Sequence, residues 1–127
     1  MTTTTTNVNE VEAIRHIAAQ KDNHLDELYN TMLAMTDVLE DMELPLSKKN
    51  ETILNVEYLV VRIRFLINDE VKRIDRALQT DEVKGKLAVK TEFTKRKQYL
   101  LGLVARLNEI REDMNTLSRS YYNLKFS

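Results

Sequence analysis

Apolar residues recur at spacings of three and four from Val11 almost to the end of this chain, with polar and charged residues between them. In the first third, Val11, Ala18, Leu25, Met32 and Leu39 repeat every seven residues and interleave with Ile14, Lys21, Leu28, Met35 and Met42. Only Lys21 of these ten seam positions is not apolar. A 3.5-residue period held over more than four heptads predicts a helix that packs along a narrow stripe and supercoils left-handedly. Asn9 is its expected N-cap. Pro45 sets its end near Glu43 or Leu44, because proline disfavours α geometry in the residue before it.

Ser47 or Asn50 can cap a second helix, whose seam reads Ile53, Val56, Val60, Ile63, Ile67, Glu70, Ile74 and Ala77 and is widened by Leu59, Leu66, Val71 and Leu78. So broad an apolar face predicts two packing partners and a central place between them. Val61 to Phe65 alternates like a strand, but no second strand candidate lies nearby to pair with it and the heptad continues on both sides. Gln79 to Gly85 breaks the pattern, with Thr80-Asp81 as a cap candidate and Gly85 as a terminator or tolerated interior glycine. A third helix then begins between Glu82 and Ala88 and carries Val89, Phe93, Arg96, Leu100, Leu103, Leu107, Ile110, Met114, Leu117, Tyr121 and Leu124.

The expected helices cover about 10–43, 50–79 and 86–124, each roughly 45–60 Å long at 1.5 Å per residue. Their short connections favour antiparallel neighbours. The expected fold is therefore all-α: three long amphipathic helices in an up-down-up antiparallel bundle with coiled-coil-like packing, one domain over residues 9–127. The Thr2 to Thr6 tract has no apolar surface to offset its ordering entropy, which predicts a disordered Thr-rich tail over residues 1–8.

Composition agrees with long helices and few turns. Gly and Pro together number 3, where average usage would give about 15. Hydrophobic content of 43% suffices for one core. The absence of Cys excludes disulfides, thiolate metal sites and a Cys nucleophile, and suits a reducing compartment, so a soluble cytoplasmic protein is expected. Apolar runs fall far short of the roughly 20 residues that span a bilayer, so no membrane partner is expected.

Chemical signatures are missing throughout. His16 and His24 lie eight apart, off the seam, without a Glu or His at ligand spacing on the same face, and read as solvent-facing. Asp37, Glu40 and Asp41 share one helical face, enough for a weak divalent-cation site but more simply a solvated surface. The chain carries no glycine-rich phosphate loop, no paired Glu-x-x-His motif and no nucleophile elbow. No enzyme, catalytic residue, metal, cofactor or small-molecule substrate is expected.

Charge is more informative. The net of −1 conceals a division: residues 1–50 hold 4 Lys and Arg against 9 Asp and Glu, and residues 51–127 hold 15 against 11. Lys84, Lys86, Lys90, Lys95, Arg96 and Lys97 surround a single Glu92 near the start of the third helix. Asp37, Glu40, Asp41 and Glu43 crowd the end of the first. Both clusters oppose the helix dipole, at about 0.3–1 kcal/mol per exposed charge, and so read either as placed for partners or as a solvated charged surface that keeps the protein soluble. In an up-down-up bundle they lie at opposite poles, which predicts a bipolar molecule and salt-sensitive head-to-tail self-association. Tyr121, Tyr122 and Phe126 place three of eight aromatics in the last seven residues, either docking on a partner or closing the end of the bundle.

Three charged residues interrupt the seams, one per helix: Lys21, Glu70 and Arg96. They fall at nearly one height in the expected bundle and would form a single ionic layer, unless the long cationic side chains reach solvent instead. The functional expectation is a non-catalytic helical protein–protein interaction protein, of the assembly-factor, scaffold, adaptor or chaperone kind, with a protein partner and self-association into a homo-oligomer. The alternative is nucleic-acid binding through the basic pole, against which stand the sparse aromatics around that pole and the pI of 6.1.

Overall fold

A computed structural model of the chain describes the backbone of residues 2–126 and the side chains of residues 9–122. Four helices follow one another: α1 (Thr2–Val38), α2 (Leu46–Gln79), the single turn α3 (Asp81–Lys84) and α4 (Leu87–Phe126). The three long ones pack against one another as an all-α up-down-up bundle, with no strand among the described residues. The alternating segment Val61 to Phe65 lies within α2.

The heptads explain the core. Leu25, Met32 and Leu39 from the first third of the chain meet Ile53, Val56, Val60, Ile63, Ile67 and Ile74 from α2 and Leu100, Leu107, Met114 and Tyr121 from α4. The α4 set repeats every seven residues, and the α2 set keeps to spacings of three, four and their sum. Met32, Val56, Val60, Ile67 and Leu100 have no exposed surface at all. At about 25 cal/mol per Å², burial of these side chains is the main favourable contribution to folding. The α1 seam is looser toward its start, where Val11, Ile14 and Ala18 are only half-buried.

Three boundaries differ from the sequence expectation. Asn9 lies inside α1 and is not an N-cap, because a helix nucleated downstream extends at little cost per residue. Of the Thr-rich tail expected over residues 1–8, the backbone of 2–8 continues α1, and the side chains lie outside the described residues.

At the other end α1 stops at Val38, about one turn short of Glu43. Leu39, Glu40 and Asp41 donate to carbonyls three residues back, and the Glu43 amide donates to Asp41 Oδ1 at 3.0 Å. Carboxylates at the negative end of a helix, followed by a residue constrained by Pro45, favour these tight turns over another helical turn. Met42, expected on the seam, is therefore 93% exposed.

α2 begins at Leu46 with Pro45 at its N-cap, earlier than Ser47 or Asn50 would place it. Proline loses nothing there, since the first amides of a helix have no intrahelical partner. Thr80 does cap α3, accepting from the Val83 amide at 3.4 Å, and the Gly85 amide donates to Asp81 O to end that turn.

Candidate functional site

Among the described residues, the buried charged group of the core sits on α2 at the height where the sequence places an ionic layer. Glu70 is 8% exposed and accepts from Arg96 through both oxygens, Nε–Oε2 at 2.7 Å and Nη2–Oε1 at 3.1 Å. The third member is Asp22, not Lys21. Asp22 takes Arg96 Nη1 at 2.8 and 2.9 Å, while Lys21 lines the groove between α1 and α2 and makes no ion pair among the described residues. Asp22 follows Lys21 by one residue, about 100° around the helix, which turns it toward α4. A guanidinium between two carboxylates has its donors satisfied, whereas two cations around one carboxylate would repel. Burial works against the charge on Arg96, but the bonds to Glu70 and Asp22 outweigh it and hold its pKa above the ordinary guanidinium value. Arg96 also stacks over Tyr99, 5.4 Å from the ring centre.

The basic segment around the start of α4 is partly neutralised within the molecule. Lys86 donates to Glu10 at 2.8 Å, and Lys97 pairs with Asp75 at 2.6 Å. With Arg96, three of the six clustered cations have internal carboxylates. Lys84, Lys90 and Lys95 are exposed and outside those pairs. Glu92, the acid within the segment, accepts from Arg15 at 2.9 Å, and that hydrogen bond holds its carboxyl below the ordinary range. The Lys86–Glu10 and Arg15–Glu92 bonds tie the start of α4 to α1, and Lys97–Asp75 ties it to α2.

The acidic set is exposed but no longer on one helix face. Asp37 is in α1, whereas Glu40, Asp41 and Glu43 lie in the turn beyond it. No group of three or more His, Asp and Glu side chains able to hold a metal occurs among the described residues. Among the described residues, no helix is long and apolar enough to cross a membrane. No family model, curated protein or solved structure matches this chain.

The three C-terminal aromatics separate. Tyr121 belongs to the core, with Lys49 Nζ 5.3 Å over its ring, and closes the end of the bundle. Tyr122 faces outward, and the Phe126 side chain lies outside the described residues.

A surface that the core seams hide from a sequence reading lies on the outside of α2. Leu54, Tyr58, Val61 and Phe65 are 61–69% exposed. At 100° per residue they share about 60° of the circumference, roughly opposite the buried stripe. Their spacing of four, three and four is the coiled-coil signal that marks the core helices, so it was available in the sequence. It is hidden there because a helix with apolar residues nearly all round reads as buried, and the outer stripe merges with the widened inner one.

Proposed function

We propose that this protein is a non-catalytic helical interaction protein that docks another helix on the outer face of α2. The observation that supports it is the exposed stripe Leu54, Tyr58, Val61 and Phe65. Four large apolar side chains in line over about 16 Å at 1.5 Å per residue form a patch of the kind that marks protein interaction sites. Solvation alone favours polar residues at all four positions. A chain without cysteine suits work in a reducing compartment such as the cytoplasm. Nucleic-acid binding is the weaker reading, since internal carboxylates engage half of the basic cluster.

A photo-crosslinking residue at Tyr58 tests the proposal against the same residue at Arg111, an exposed charged position. In an extract of cells expressing the full chain, protein adducts are expected from position 58 and not from 111. Equal or absent crosslinking at the two positions overturns it.

A further inference from the structure

The stripe on α2 is flanked and bounded by charges whose order is informative. Extending its heptad in both directions places Ser47, Leu54, Val61 and Asn68 on one line and Glu51, Tyr58, Phe65 and Lys72 on the other. Glu57 and Arg64 border it on one flank, and neither forms an ion pair among the described residues. Arg64 is half-buried, and its Nε is buried without a hydrogen-bond partner.

We infer that the occupant of the stripe is a second copy of this chain, its α2 lying antiparallel on the first. The inference rests on α2's outer face being a docking surface. In that arrangement Leu54 meets Phe65 of the second copy and Tyr58 meets Val61, and each contact occurs twice about the two-fold axis. Glu57 faces Arg64 of the second copy on the flank, again twice. Glu51 meets Asn68 and Lys72 meets Ser47 at the ends. The acidic turn Glu40 to Glu43 comes beside the end of α2 that carries Lys72 and Arg76, both exposed and outside the ion pairs of the molecule.

A parallel pair is disfavoured by its end layers, although Glu51 is already paired with Lys48 at 3.3 Å. It would set Glu51 against Glu51 and Lys72 against Lys72, in line with the apolar contacts, where like charges repel. Its flank would be acceptable, with Glu57 facing Arg62 and Arg64 facing Asp69, so the ends decide the orientation. Asp69 is in addition already held by Arg73 at 3.2 Å.

Sedimentation equilibrium of the full chain over a range of concentrations tests the inference. The expected result is a monomer–dimer equilibrium that stops at two. Val61→Glu is expected to raise its dissociation constant at least tenfold with the helicity of the monomer unchanged, because the position is exposed in the monomer. Glu57→Arg and Arg64→Glu are each expected to weaken the dimer, and the double variant to restore it within about threefold. In a parallel pair the double variant would set the new arginine at position 57 against Arg62 and the new glutamate at position 64 against Asp69. Failure of the rescue therefore overturns the antiparallel arrangement. A monomer at every concentration overturns the second copy as occupant. If position 58 then still crosslinks selectively to a different protein, the docking surface stands and only its occupant differs. If it crosslinks to nothing, the proposed function fails as well.

Discussion

Arg96 holds together three helices through two carboxylates, and the cost of breaking that arrangement depends on which member is removed. Replacing Glu70 by Leu leaves a 9% exposed guanidinium with one partner instead of two. The expected loss is about 3–5 kcal/mol, read as a lower denaturant midpoint. Replacing Asp22, Glu70 and Arg96 together by Leu or Met is expected to be neutral or stabilising, because no unpaired charge remains and apolar contacts take its place. Glu92 offers a separate test through pH. Its carboxyl is held below its ordinary pKa by Arg15, so its contribution is present above the ordinary carboxylate range and fades as pH falls through the lowered value. Glu92→Gln should therefore lose stability at pH 7 and flatten the decline on acidification. The effect should be small, because Arg15 is 63% exposed and solvent screens the pair. Unfolding in urea across the acid range reads this.

At the level of single elements, α4 contains a glycine that no contact requires. A Cβ at Gly102 would meet nothing within 4 Å, and the residue lies mid-helix with ordinary helical φ. Gly102→Ala is expected to raise stability by about 0.5–1 kcal/mol, measured by denaturant titration. Tyr121 behaves oppositely. It is buried among the residues that close the bundle, so Tyr121→Ala should cost about 2–4 kcal/mol. That outcome marks Tyr121 as a core residue, a distinction its place in an aromatic-rich terminus could not make. The end of α1 shows why boundaries are the least legible feature. Met42 continues the heptad in sequence, yet acidic residues at the helix end and Pro45 beyond it turn the chain out before that position, and the side chain stands in water.

For the whole molecule, the manner of association separates two ideas. Head-to-tail contact between opposed charged poles propagates unless its rotation closes, and it vanishes as salt rises. An isologous pairing of α2 closes at two copies and keeps its apolar centre in salt. Between about 50 and 500 mM salt, the dimer should weaken by less than about tenfold, because only its flanking charges are screened. Loss of all association over that range would favour the poles instead. Internal neutralisation of Lys86, Arg96 and Lys97 is the physical reason that the basic pole is weaker than the charge count along the chain suggests.

The heptad spacing by itself determined three long helices, their apolar seams and the all-α bundle, because at 100° per residue the spacing of side chains decides which of them share a face. It also contained the second stripe on α2, at spacings as regular as the first. Only the tertiary structure decided which stripe faces a neighbour, that Asp22 and not Lys21 meets Arg96, and which cations already have partners. Those outcomes depend on how each helix is rotated about its own axis against the other two. That rotation follows from packing among residues as far apart as 22, 70 and 96, and no local pattern records it.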